Sequence, residues 1–237
     1  MPDARPLGQF VKTPEARAPD GRTLVGRHVR LEQISPQHHG PKLWAALKGH
    51  DQVWDYLYEE VPKDEAAFIE TLQVSTAKPG WLGYALCLPD GRVPGYMFYL
   101  NIVPAMGSIE VGNINLSPLM QRGTAATEAQ YLMMQEAFRL GYRRYEWKCN
   151  ALNAPSRRAA ERLGFSFEGV FRQHLIVKGR NRDTAWFAIT DQDWGHLQQA
   201  YARWLDDRNF DGSGRQQTAL SDLTEPHLVQ RDPTQCA

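Results

Sequence analysis

One stretch constrains the fold of this chain more than any other, Gln121 to Phe165. It opens Gln121-Arg122-Gly123-Thr124-Ala125-Ala126-Thr127-Glu128-Ala129, keeps helical apolar spacing through Leu132, Met133, Ala137 and Leu140, and stops at Gly141. Tyr145-Glu146-Trp147-Lys148-Cys149 then alternates as a strand, with Tyr145, Trp147 and Cys149 on one face. Asn153-Ala154-Pro155-Ser156 joins a capping residue to a first-turn proline, so a second helix runs from Ala154 to Leu163 and ends at Gly164. The order is loop, helix, strand, helix. Small residues crowd the mouth of the first helix, which leaves its free N–H groups open to close approach, and the helix dipole adds about half a positive charge there. Such a mouth suits a pyrophosphate, although the same residues also make a plain helix cap.

The segments before and after this stretch read as a sheet with helices. Thr23 to Glu32 alternates around Gly26 as an opening hairpin, and Ser35-Pro36 begins a helix carrying Leu43, Trp44 and Leu47 and stopped by Gly49. Lys63-Asp64-Glu65 leads into a helix with Ala66, Phe68, Ile69 and Leu72. Trp81 to Leu88 and Val93 to Val103 form a hairpin about the Pro89-Asp90-Gly91-Arg92 turn. Ser108 to Leu116 alternates as a central strand that Ser117-Pro118 ends. Strands follow at Phe165 to Phe171, His174 to Lys178 and Thr184 to Ile189, then a helix opened by Asp191 and Asp193 that carries Leu197, Ala200, Tyr201, Trp204 and Leu205.

These 237 residues suit one domain of about 150 to 200 residues with tails. The domain is expected at 23–207. Residues 1–22, with Pro2, Pro6, Pro14 and Pro19 and only Leu7, Phe10 and Val11 as apolar anchors, read as an arm, and residues 208–237 as a flexible tail. Lysine plus arginine equals aspartate plus glutamate at 27 each, so any anion site is local and no field favours nucleic acid. A nucleic-acid adaptor built on Arg143-Arg144, Arg157-Arg158 and Arg180/Arg182 would need affinity that falls steeply with salt. No run reaches the roughly 18 apolar residues of a membrane helix and no signal-peptide core is present, which gives the expectation of a cytoplasmic protein without a membrane partner. Cys87, Cys149 and Cys236 have neither disulfide nor zinc spacing, and no metal is expected. Monomer and homodimer both remain open.

Gln121-Arg122-Gly-x-x-Ala-Thr-Glu-Ala, followed by Asn153-x-x-Ser156-x-x-x-x-x-x-Leu163-Gly-Phe, resembles the acetyl-CoA-binding core of the GNAT acetyltransferases, in the flavour of the Rim-type branch that acetylates amino groups. The resemblance implies an α+β fold: a twisted, mostly antiparallel mixed sheet, helices on both faces, and a cleft where two central strands part. It implies acetyl-CoA as co-substrate and an amine, peptide or small molecule, as acceptor. The pyrophosphate would lie at Gln121, Arg122, Gly123, Thr124, Ala125 and Ala126, with Thr124 where the family usually has glycine. The pantetheine would pair with the backbone of Asn113, Ile114, Asn115 and Leu116, a form of β-augmentation. Asn153 would contact the pantetheine or only cap its helix, and Arg157 or Arg158 would meet the 3′-phosphate or stay solvated.

Glu110, at the start of the central strand, is the candidate base, with an edge-strand charge as the other reading. Ser156 is the candidate donor to the leaving sulfur, or an N-terminal helix residue and no more. Trp54, Tyr56, Tyr58 and Glu59, with Glu60, are either a packed helix-to-helix connection or the acceptor wall. No activated Ser/His/Asp or Cys/His set is visible in the sequence, so direct attack on the thioester is expected in preference to a covalent acyl-enzyme. A non-catalytic acyl-CoA-binding module is the alternative, since Ala160 stands where many GNAT enzymes carry a helix tyrosine.

Overall fold

The computed structural model describes residues 5–11 and 16–235. One sheet of eight strands organises them, in the order β1-β2-β3-β4-β5-β6-β8-β7. Strand β1 (Leu24–Val25) turns back into β2 (Arg30–Gln33), which leads to helix α1 (Pro36–Leu47), a 3₁₀ turn (Asp51–Trp54) and helix α2 (Glu65–Thr76). A meander of β3 (Leu82–Cys87), β4 (Gly95–Val103) and β5 (Ser108–Leu116) follows. Helix α3 (Thr124–Arg139) carries the chain over to β6 (Arg144–Asn150), and α4 (Ala154–Arg162) leads to the hairpin of β7 (Ser166–Val177) and β8 (Arg180–Thr190). Helix α5 (Asp191–Trp204) and a short α6 (Leu220–Thr224) end the fold. Every neighbouring pair of strands is antiparallel except β5 and β6, whose connection through α3 makes them parallel.

Strand parity explains the two layers of helices. Tyr84, Leu86, Met97, Tyr99, Ile109, Val111, Tyr145 and Trp147 face α3, α4 and α5, where they meet Met133, Ala137, Ala160 and Tyr201. The intervening residues Ala85, Tyr96, Phe98 and Leu100 face Leu43, Leu47, Phe68 and Leu72 of α1 and α2. The sheet is therefore buried on both sides in its centre.

The site depends on one irregularity. Along β4 and β5, Tyr96 pairs with Asn115 and Phe98 with Gly112, so Met97 alone stands opposite Asn113 and Ile114. Asn113 takes up this bulge with φ of 45°, a left-handed conformation that asparagine tolerates better than most residues. Beyond it, β5 no longer pairs with β6. Their ladder runs from Ser108 and Arg144 to Val111 and Trp147 and stops, which leaves Gly112 to Leu116 with one free backbone edge.

The expected tail differs from what is observed. Leu220, Thr224 and Asp232 are fully buried, and Asn209 fastens the segment by donating to the carbonyls of Trp204 and Thr218. Its few apolar side chains are placed where the main domain lacks cover, so low overall hydrophobicity did not prevent packing. Of the expected arm, residues 5–11 are exposed, whereas Arg17 N–H donates to Leu140 and Arg22 pairs with the buried Glu136. Pro2, Pro14 and Cys236 lie outside the described residues.

Candidate active site

The cleft between β5 and β6 has two faces. On the side of α3 and α4 lies a cavity of about 520 Å³, bounded by Ile114 and Leu116 of β5, Trp147 of β6, and the start of α3. Gly123 is the N-cap of that helix, Arg122 before it is left-handed with φ of 60°, and the first turn carries no acidic residue. Glu128 is directed away and accepts the N–H groups of Arg27, His28 and Val29 at 2.9, 2.6 and 3.1 Å. The helix mouth is thus left electropositive toward the cavity.

Of the residues expected at the pyrophosphate, Arg122, Gly123, Thr124 and Ala126 line this cavity; Gln121 and Ala125 do not. Gln121 is exposed and donates its amide to Leu116 O at 2.9 Å, so it braces the loop against β5. Arg157 is a correction. Its guanidinium is buried, donates twice to Asp232 at 2.6 Å and once to Ala151 O at 2.8 Å, and so is not available to a phosphate. Arg158 is exposed. Asn153 accepts from Ser156 N–H at 3.1 Å and caps α4.

The cavity's second cation escaped the sequence reading. Arg162 faces it from α4, donates to Thr127 Oγ1 at 3.2 Å, lies over the Trp204 ring at 5.4 Å, and has no carboxylate within ion-pair distance among the described residues. Burial holds its pKa below the usual arginine value. Helical spacing puts Arg162 on the same face as Ala159, and that was its signal. Trp204, Phe210 and Gln216 close the far wall, with Trp204 Nε1 donating to Gln216 Oε1 at 2.8 Å. Nothing in the composition of residues 208–237 pointed to this role.

Where the two strands part, Trp147 Nε1 donates to Ser156 Oγ at 3.1 Å, leaving the serine O–H free to donate. The Cys149 thiol is within its reach, and burial pushes that thiol up to about 11, so it is not a thiolate nucleophile at neutral pH.

The opposite face, toward α1 and α2, carries charge. Glu110 is buried, accepts from Asn101 Nδ2 at 2.6 Å, and pairs at 2.9 Å with Lys148, which also pairs with Glu146 at 2.9 Å and lies 4.0 Å from the Trp186 ring centre. Burial raises the Glu110 carboxyl above its ordinary range, against the lowering effect of Lys148 and Asn101. The edge-strand reading of Glu110 is therefore wrong. Asn115 also points to this face, beside Tyr96, and not into the cavity with Ile114.

The proposed acceptor wall divides. Trp54 is a correction: it is buried against Phe68 in an edge-to-face contact 6.0 Å between ring centres, as part of the core. Tyr56 and Tyr58 are exposed, and Glu59 is mostly covered, 3.9 Å from Lys78. Of the six arginines that suggested a nucleic-acid surface, Arg144 is paired with Glu146 and Glu168, and Arg157 with Asp232. Away from the cleft, Glu32, His39 and Cys87 bring ligand atoms within 4.8 Å of one another. His39 Nδ1 already accepts Ser35 N–H at 3.0 Å and its Nε2 faces Glu32 at 3.2 Å, an arrangement that braces strand to helix and leaves no ring lone pair for a metal.

The model of the GNAT acetyltransferase domain matches residues 28–166. A GCN5-related N-acetyltransferase from Brucella melitensis has 46% identity and a TM-score of 0.87 over 90% of this chain and 98% of its own. A probable acetyltransferase of the GNAT family from Chromobacterium violaceum has 38% identity and a TM-score of 0.74, covering 82% and 98%. The Salmonella typhimurium enzyme that modifies the N-terminal serine of ribosomal protein L7/L12 shares the fold, with 18% identity, a TM-score of 0.63, and 71% and 99% covered. No protein of curated function matches the chain.

Proposed function

Because the chain belongs to the GNAT family of acetyl-CoA-dependent N-acetyltransferases, we propose that it acetylates an α-amine, of a peptide or a small aminoacyl molecule, by direct attack on the thioester. The observation that carries this reading is the end of the β5–β6 ladder at Val111 and Trp147, with an electropositive cavity on one face of the sheet there and the buried carboxylate of Glu110 on the other.

In this reading the pyrophosphate of acetyl-CoA takes the N–H groups at Gly123 to Ala126 and the charges of Arg122 and Arg162, while the pantetheine pairs with the free edge from Gly112 to Leu116. The thioester then sits beside Trp147 and Ser156. The amine enters from the Glu110 face. Its nitrogen attacks the acetyl carbon, the C–S bond breaks, the amine proton passes to Glu110 through water, and the sulfur leaves as thiolate or takes a proton relayed by Ser156. A raised carboxyl makes Glu110 a better base than an ordinary exposed glutamate. An α-amine near pKa 7.7 to 8.0 is neutral in a sizeable minority of molecules at pH 7, whereas a lysine amine near 10.4 is almost wholly protonated. One modest base suits the first acceptor better than the second. The fold shared with an enzyme that modifies an N-terminal serine is in keeping with it.

The test is mass spectrometry of a peptide and metabolite pool incubated with the protein and labelled acetyl-CoA. Label on α-amines supports the reading; label confined to lysine side chains sinks it.

A further inference from the structure

Arg182 of β8 is exposed to only 6%, and its Nε has no hydrogen-bond partner. Its guanidinium lies over the ring of Tyr58, 4.7 Å from the centre, and no carboxylate stands within ion-pair distance of it among the described residues. A cation taken out of water without an anion is costly, and the guanidinium against the tyrosine ring is a group that a carboxylate can pair with, in bidentate fashion where geometry allows.

Its place in the fold gives that cost a purpose. Thr184 is the last residue of β8 paired with β6, opposite Asn150, so Arg182 lies just past the open end of the cleft. It shares the strand face of Trp186, whose ring meets Lys148, and therefore belongs to the side from which the amine enters. The segment after the 3₁₀ turn bridges the cleft on this side. Lys178 donates to Trp54 O at 2.8 Å, Tyr56 Oη reaches Leu152 O at 3.3 Å, and Tyr58 covers Arg182. The next residue, Glu59, acts electrostatically on Tyr96 of β4, over the bank that also carries Glu110, and one of its carboxylate oxygens is buried without a partner. The mouth is thus acidic on the β4–β5 bank and basic on the β8 bank.

We infer that the acceptor is a peptide whose amine is seated on the β5 bank and whose own carboxylate, from an acidic residue two or three positions along, is bound by Arg182. The spacing follows from the sheet. Arg182 lies on the order of 10 Å across the sheet from β5 and, five residues before Phe187 on the rung of Trp147, on the order of 16 Å along β8, a separation that the arginine side chain, an extended chain of about three residues and an acidic side chain span together. In a free amino acid the amine and carboxylate lie too close together to reach both banks. This rests on the acceptor face proposed above, and Arg182 has no part in the chemical step.

The experiment compares two tetrapeptides that differ only in the third residue, Ser-Ala-Asp-Ala-amide and Ser-Ala-Asn-Ala-amide, with serine and serine amide as a second pair. Thiol release gives kcat/KM for each, and calorimetry on the CoA-loaded protein gives affinity without turnover. The acidic peptide should be favoured by about tenfold or more, mainly through KM, and Arg182→Gln should bring the ratio near one while Arg182→Lys keeps part of it. Three results overturn the inference: equal use of both tetrapeptides, an equal fall on both in folded Arg182→Gln, or a preference confined to serine over its amide. If no peptide were acetylated yet the acidic one still bound more tightly through Arg182, the α-amine reading would fail and carboxylate recognition would stand.

Discussion

Trp147 Nε1 and Ser156 Oγ are joined by a 3.1 Å hydrogen bond at the last rung of the β5–β6 ladder. The indole can only donate, so the serine accepts there and its own proton is directed elsewhere. A thiol with pKa near 8.5 leaves as thiolate without much help. Ser156→Ala should therefore lower kcat by less than about tenfold, with little change in the shape of the pH–rate profile. Steady-state kinetics from pH 6 to 9 checks this, and a loss of a thousandfold would make the serine essential.

The cavity makes a second prediction. Ala126→Asp places bulk and negative charge where the phosphates are proposed to lie, and should weaken CoA binding by about 1 to 3 kcal/mol. Arg162→Gln should also weaken it, and more so at low salt, since the arginine is uncompensated. Calorimetry with folded variants decides, and unchanged affinity in both would move the phosphates out of this cavity.

Much of this site was legible in the sequence, because helix mouths and strand ends are local features. Gly123 to Ala126 and the cap at Asn153 follow from composition at the first helical positions. The burial of Trp54 did not: an aromatic residue among chain-breaking and acidic neighbours is ambiguous until Phe68 of α2 is known to pack on it. Arg157 was misread for a related reason, since its partner Asp232 is 75 residues away. Charge pairing over such a distance leaves no periodic trace. Arg182 carried no signal beyond its charge, and only the missing partner in three dimensions singled it out.

Trp54 should accordingly behave as core. Trp54→Ala is expected to cost about 3 to 5 kcal/mol of stability, read from denaturant unfolding, and to impair CoA and acceptor together. A stable variant with only a raised acceptor KM would restore it to the recognition wall.

The Arg157–Asp232 pair fastens the C-terminal segment. Burial alone would raise the Asp232 carboxyl, but hydrogen bonds from Arg157 and Thr234 outweigh it and hold the group below its usual value. A carboxyl depressed in the folded state stabilises fully above its unfolded pKa of about 3.9, and that contribution is lost as pH falls through the lower folded value. Asp232→Asn leaves the arginine buried without an anion, at a cost of about 3 to 5 kcal/mol. Limited proteolysis at neutral pH should cut the variant between residues 206 and 235 faster than the parent, and the difference should shrink in strong acid. Equal cutting rates would mean the pair holds nothing.

The most direct test of direct attack across the cleft is the pH–rate profile of Glu110→Gln on an α-amine peptide. Because burial raises this carboxyl, the parent's kcat/KM should fall on the acid side at a pH above that of an ordinary glutamate, as Glu110 takes up its proton and no longer serves as base. Glu110→Gln should be slower by about tenfold or more near neutrality, lack that acid limb, and recover as pH rises toward the pKa of the amine. A folded variant whose profile matched the parent's in height and shape would contradict the account, leaving Glu110 as a partner for Lys148 and Asn101 and nothing more.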